Sequence, residues 1–267
     1  MSIDRASGPV KGSSRREATF VADHPPDRDA SRRAPGPDPV RVDRVVLERY
    51  LARAAAALRR HRRLLDRLDA ALGDGDHGEN METGLDAVVE WLGTLPPDGD
   101  LGTIVRGVGH VLIASVGGAS GPLYGTAFVE AGFTLGARAE IDAAAMADAL
   151  DAAVSGLSRR GRCEVGDKTI LDALKPAADA FRRSIVAGES MEAAAAAAVW
   201  AARDGMCATV PLVARRGLAL RLGERSRGHQ DPGATSCFLL VRAMHPRRTP
   251  STIERDHPAF ASRRQSP

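Results

Sequence analysis

Asp69, Asp74 and Asp76 follow the spacing D-x4-D-x-D inside the segment LDAALGDGDHGENM, residues 68–81. That spacing lets a carboxylate on the last turn of a helix meet two more from the loop behind it. Three hard oxygen donors with no cysteine among them suit Mg2+ or Ca2+ rather than zinc. Asp69 stands at the negative end of its helix dipole with two further carboxylates close by, an arrangement that is unfavourable until a cation joins it. The plainer alternative is a solvated acidic turn, with Gly73 ending the helix. An EF-hand does not fit: counted from Asp74, position 6 is Glu79 where glycine is needed, and position 12 is Leu85 where glutamate is needed.

The elements that must hold this loop read as helices. Leu47, Leu51, Ala54, Leu58, His61, Leu65, Leu68 and Leu72 recur at steps of four and three, which predicts a helix of about seven turns with one buried stripe. His61 lies on that stripe as a core or boundary histidine. Helices are further predicted over 80–92, 101–115, from the 117–122 loop through Phe133, 142–159, 168–187 with Asp167 as N-cap and Pro176 as a kink, 190–204 and 208–222. Asp231 followed by Pro232 has the form of an N-cap and first helical residue, opening a last helix to about Met244. No segment alternates with period two and no fixed-period repeat occurs, so the expected class is an all-α domain of about eight helices.

Four loops carry the polar and glycine-rich residues: 73–80, 117–122, 161–168 and 223–233. In an up-and-down helical array alternate connections share one end, so these loops can converge. Together they would offer three carboxylates for a metal and several helix N-termini for anions, which is the chemistry of a metal–phosphate complex.

Composition narrows the classes. With 267 residues and 43% hydrophobic content the chain can bury one good-sized core. Pro-rich, charged residues 1–44 and basic residues 244–267 read as disordered extensions around a domain at 45–243. The net charge of +3 sits largely in those tails and in Arg patches, and at 4% aromatic residues a base-stacking nucleic-acid surface is not expected. Cys163, Cys207 and Cys237 are odd in number and show no C-x-x-C spacing, which fits a reducing cytoplasm. No run of about 18 apolar residues occurs and the N-terminus has no apolar leader core, so a soluble cytoplasmic protein without membrane contact is expected.

GDGDHGENM at 73–81, GGASGPLYGT at 117–126, GDKTILDAL at 166–174 and LGERSRGHQDPGATS at 222–236 resemble, in order, the signature segments of the nucleotide-binding L subunit of dihydroxyacetone kinase. The resemblance covers roughly residues 45–243. It implies an eight-helix antiparallel barrel with Mg2+, two ions in this family, and ADP or ATP at one end. It further implies Asp69, Asp74 and Asp76 as Mg2+ ligands, His77, Gly78, Glu79 and Asn80 as a nucleotide-contacting turn, and Gly118, Ala119 and Ser120 as a phosphate loop. Gly161 and Ile170 would wall the base, and Asp231, Pro232 and Gly233 would close the site. Leu218 stands where the family pattern has a nucleotide-contacting Arg. The implied activity is phosphoryl transfer to dihydroxyacetone or a related small ketose held by a partner K subunit, with a phosphotransferase-system protein as phosphoryl donor where ADP stays bound. No catalytic residue is assigned in this chain. The alternatives are a nucleotide-binding regulatory module without turnover and a kinase for another acceptor.

Overall fold

The computed structural model describes residues 40–245. The extensions expected at either end therefore fall almost entirely outside the described residues. Within them the chain forms α1 (Arg44–Ala70), α2 (His77–Gly93), α3 (Leu101–Ser115), α4 (Ser120–Leu135), α5 (Ala143–Gly161), α6 (Leu171–Val186), α7 (Met191–Ala208) and α8 (Pro232–Ala243), with a 310 helix (Leu218–Ser226) between α7 and α8. Each α-helix packs on the next, and α8 returns to α1, which closes the ring. The result is an eight-helix antiparallel barrel, as the loop pattern and the resemblance led one to expect. A ladder of two-residue strands, β1 (Val42–Asp43) and β2 (Glu140–Ile141), ties the start of α1 to the α4–α5 connection. It is too short to leave a period-two pattern in the sequence.

The stripe on α1 does what its spacing predicts: Leu51, Leu58 and Leu65 are fully buried, facing a core that includes Met81, Leu112, Leu157, Phe181 and Met206. His61 lies in the same stripe, with Nδ1 2.7 Å from Ala57 O. α8 is sunk deepest, every residue from Pro232 to Val241 being buried, so its apolar character runs all round rather than along one stripe.

Local capping explains most boundaries. Asp43, Asp100, Asp142, Ser190 and Asp231 each accept a hydrogen bond from the amide three residues on, and begin α1, α3, α5, α7 and α8. Three expectations are corrected. Asp167 does not cap α6: the carboxylate of Asp172 takes the Gly166 and Thr169 amides at 2.6 and 2.7 Å, and the helix starts at Leu171. The helix expected over 208–222 is absent, because α7 runs on to Ala208 and the chain then turns through Pro211 to Gly217 (φ +64) before the 310 helix. Finally, α2 and α4 begin at His77 and Ser120, earlier than expected.

α3 and α4 touch along glycines. A Cβ at Gly109 would stand 2.6 Å from Gly125 O, and one at Gly125 the same distance from Gly109 O. Gly109→Ala gains about 1 kcal/mol of helix propensity but forces backbone against backbone, at a cost of about 3 kcal/mol. A net loss of about 2 kcal/mol is expected in urea unfolding, and an unchanged midpoint would show that the two helices can part freely.

Candidate functional site

The loop 71–76 wraps around one carboxylate. Asp69, on the last turn of α1, accepts hydrogen bonds at Oδ2 from the amides of Gly75, Asp76 and His77 at 2.9, 3.1 and 3.3 Å. Gly75 takes φ +86 to make the turn. This wrapping swings Asp74 and Asp76 back, so that one carboxylate oxygen from each of Asp69, Asp74 and Asp76 lies within 4.8 Å of the others. Burial pushes the Asp69 carboxyl up, and the neighbouring Asp74 charge adds to that, against the three amides that favour its ionised form.

α2 is capped from outside its own sequence. Asp76 precedes it without a side-chain cap, and Asp66 of α1 accepts the Glu79 amide at 3.0 Å instead. Gly78 makes that contact feasible, since a Cβ there would lie 2.2 Å from Arg62 O. The Glu79 carboxylate turns outward to Arg62, 2.8 Å away. Asn80 faces the next loop, its carboxamide lying against Gly117.

His77 is the junction. Its Nε2 is 2.8 Å from Ser236 Oγ on α8 and its Nδ1 is 3.2 Å from Ser120 Oγ on α4. The N-termini of α2, α4 and α8 therefore meet at one ring. Burial pushes the His77 pKa down to about 4, although Asp66 and Asp74 pull the other way, so the imidazole is neutral at pH 7. Beside it Gly118 (φ +62) and Ala119 lead exposed into α4. Ile170, just before α6, packs on Gly233, where a Cβ would meet its Cγ1 at 2.8 Å, so a fourth helix start joins the same end. Gly161, the last residue of α5, lies close to Cys163 and Leu123.

The closing segment is pinned from below. Asp231 donates its amide to Thr209 Oγ1 at 3.0 Å and caps α8 through the Ala234 amide at 2.6 Å. Lys168, buried in the α5–α6 loop, donates from Nζ to Thr209 O at 2.6 Å and to His229 O. The 310 segment hangs from the same loop through Arg216 Nε, which donates to Asp167 at 3.0 Å, and through the Arg215 amide on Asp167 O. Leu218 opens that segment, 47% exposed. The structure thus brings Asp69, Asp74, Asp76, His77, Asn80, Ser120, Ile170, Asp231, Pro232 and Gly233 to one end of the barrel. Leu218 sits on the outer segment, and Glu79 spends its side chain on α1. Asp66, Tyr124, Lys168, Thr209 and Ser236 take part in holding this end; Tyr124, Lys168 and Ser236 lie inside the segments that carry the resemblance but were given no role of their own, and Asp66 and Thr209 lie in none of them.

Burial raises the pKa of Asp231 to about 7, the Asp172 and Asp69 charges adding to the effect while the Ala234 amide and Lys168 oppose it. The folded state therefore keeps a proton that the unfolded chain gives up near pH 4. Stability of the ligand-free protein should fall as pH rises from about 4 to 7, by a few kcal/mol, and level off above. Asp231→Asn keeps an oxygen for the cap and should remove that slope. Urea midpoints at pH 5 and pH 8 that decline equally in both proteins would contradict the assignment.

Residues 71–246 match the family described as the DAK2 domain, and the chain belongs to that family. It is 37% identical over 203 residues to the ADP-binding subunit DhaL of the PEP-dependent dihydroxyacetone kinase of Escherichia coli, covering 76% of this chain and 96% of that one. It is 36% identical over 201 residues to a D-erythrulose kinase of Mycolicibacterium smegmatis, where the match takes in 73% of this chain and 35% of the relative. The fold is similar to that of the dihydroxyacetone kinase of C. freundii in complex with AMP-PNP and Mg2+, with a TM-score of 0.60, 25% identity, and coverage of 87% of this chain and 38% of that structure. Among the described residues no helix is long and apolar enough to cross a membrane.

Proposed function

We propose that this chain is the nucleotide- and Mg2+-binding subunit of a dihydroxyacetone kinase, working with a separate subunit that holds dihydroxyacetone or a related small ketose. The observation that carries the reading is the set of three carboxylates whose oxygens lie within 4.8 Å of one another, at the end of the barrel where helix N-termini meet. That spacing fits the group: octahedral Mg2+ at about 2.1 Å per bond places its ligand oxygens up to about 4.2 Å apart, so side-chain shifts of a few tenths of an ångström suffice. Asp69, Asp74 and Asp76 would hold the metal, two ions being the number the resemblance implies. Bound there, Mg2+ would neutralise the nucleotide phosphates and the charge that develops during transfer.

The remaining residues bind and orient. The amides of Gly118, Ala119 and Ser120, at the positive end of α4, would cradle phosphate oxygens, and His77, Gly78, Glu79 and Asn80 would flank them from the start of α2. Gly161 and Ile170 would line the base, and Asp231, Pro232 and Gly233 would close over the nucleotide. Among the described residues no side chain is assigned as a base for an acceptor hydroxyl, and the acceptor and its activating group are assigned to the partner because the resemblance places them there. Leu218 puts an apolar, half-exposed side chain where the family pattern has a cation. Weaker retention of ADP follows, favouring exchange of ATP as a co-substrate over a permanently bound ADP recharged by a phosphotransferase-system protein.

The test is turnover. The chain mixed with its K subunit, ATP, Mg2+ and dihydroxyacetone should form ADP, each component being required. ATP and Mg2+ binding without ADP formation would instead support a regulatory module, and a product from erythrulose alone would move the acceptor. Mass spectrometry of protein purified without added nucleotide separates the donor schemes: retained ADP would count against exchange.

A further inference from the structure

We propose that Arg216 is a recognition residue for the base of the nucleotide, its guanidinium fixed by Asp167 and its Nη groups donating to the adenine ring. The inference rests on the nucleotide reading above and gives a polar contact to a part of the site that the reading lines only with Gly161 and Ile170.

Arg216 lies between α7 and the 310 helix, one residue before Gly217. Its Nε donates to Asp167 Oδ2 at 3.0 Å, and the backbone beside it is fixed by the Arg215 amide on Asp167 O at 3.1 Å. The side chain of Asp167 is 3% exposed and that of Arg216 is 47% exposed, so the ion pair has a buried anchor and an open head. A guanidinium carries five N–H donors. Among the described residues Asp167 takes only the one on Nε, and the Nη groups are left for an acceptor from outside.

The anchor is firm. Asp167 Oδ2 also accepts the Glu164 amide at 3.2 Å, while Asp172 holds the Gly166 and Thr169 amides of the same loop. Arg162 and Lys168 bear side chains at φ +47 and +64, a conformation that persists only where the surroundings impose it and that clusters at binding sites. Arg216 is therefore held in place before a ligand arrives, and little side-chain freedom is lost on binding.

Position assigns Arg216 to the base rather than to the phosphates. The three aspartates belong to the α1–α2 connection and the phosphate loop to the α3–α4 connection, whereas Asp167 belongs to the α5–α6 connection, farther round the ring. That connection carries Cys163, whose Sγ would stand 2.9 Å from a Cβ on Gly161. Burial raises the Cys163 pKa, and the Arg216 charge is among the influences that oppose the rise, so guanidinium and wall are neighbours. At the other end of the loop Ile170 packs on Gly233. A base set between Gly161 and Ile170 would lie beside the Nη groups. The ring nitrogens of adenine accept hydrogen bonds, and the pairing with Asp167 offsets the charge that a phosphate would need.

The first test uses the unaltered full chain. Phenylglyoxal modifies accessible arginines, and peptide mass spectrometry reads each position separately. MgADP well above its Kd should slow modification of Arg216 by at least about fivefold, while Arg221 and Arg225, exposed on the same segment, react as before. Equal rates at Arg216 with and without MgADP overturn the proposal. Titration calorimetry gives the second arm: Arg216→Met should weaken MgADP binding about tenfold, through the loss of a hydrogen bond from a charged donor. Arg216→Lys separates recognition from mere tethering of the 310 segment. One ammonium can keep the ion pair with Asp167 but cannot also present a second set of donors at the base. This variant should melt close to the unaltered chain and still bind MgADP about as weakly as Arg216→Met. A lysine that restores the affinity would reduce Arg216 to a tether and overturn the proposal. The residual binding should keep the salt dependence of the unaltered chain, and a flatter dependence would put the contact on the phosphates instead. If the unaltered chain binds no MgADP, the nucleotide reading itself fails, a result distinct from MgADP binding that leaves Arg216 unprotected.

Discussion

Asp74→Asn and Asp76→Asn should each lower the affinity for MgADP by at least about a hundredfold, or about 2.7 kcal/mol, while leaving the fold intact. Both carboxylates are exposed and make no bond that the loop depends on; their place is fixed by Asp69, which binds the loop amides. Without metal each of them only adds repulsion to the cluster, so the metal-free variants should melt no lower than the unaltered chain, and slightly higher at low salt. Asp69→Asn must behave differently. An asparagine offers one oxygen, so it can serve the three amides or the metal but not both, and the metal-free variant should lose stability as well as ligand. Titration calorimetry with MgADP and melting curves in EDTA give both orderings. Unchanged MgADP affinity in Asp74→Asn and Asp76→Asn would remove the metal assignment.

What could be read from the sequence was local. The stripe on α1, the cap at Asp231, and the spacing of the three aspartates all lie within a few residues of the features they create. So they survived into three dimensions. The boundary of α2 was misplaced because its cap comes from Asp66 on the preceding helix, across a loop that Asp69 folds back. The helix expected over 208–222 does not form, because Pro211 interrupts it and Gly217 and Gly223 turn the chain at positive φ. With the backbone broken there, Leu218 and Leu220 end up half exposed rather than in the core. Within the site, the convergence of Asp69, Asp74 and Asp76 was legible because they span eight residues. The bond from His77 to Ser236 joins positions 159 apart, and no spacing rule reaches that far.

Lys168 is the residue whose weight the sequence concealed most, and its replacement should be the most damaging of the changes considered to the fold around the site. It adopts φ +64, a conformation that costs a side-chain-bearing residue roughly 1 kcal/mol or more. It is also 2% exposed, and burial lowers its pKa while the Asp231 and Asp172 charges work to keep the ammonium protonated. Two bonds offset these costs: Nζ donates to Thr209 O at the end of α7 and to His229 O just before the closing segment. Lys168→Met keeps the length and the apolar stem but leaves both carbonyls without that donor. It also removes the cation that opposes the raised pKa of Asp231. At about 1.5–3 kcal/mol for each hydrogen bond from a charged donor, a loss of about 4 kcal/mol is expected. MgADP binding should weaken with it, because Asp231, Pro232 and Gly233 are held in register by the same two bonds. Combining Lys168→Met with Asp231→Asn should recover at least about 1 kcal/mol at pH 8, since the second change removes a buried carboxylate left facing no ammonium. Urea unfolding of the four proteins completes the cycle. Strict additivity would mean that Lys168 supports the backbone alone and that Asp231 is neutralised by other means.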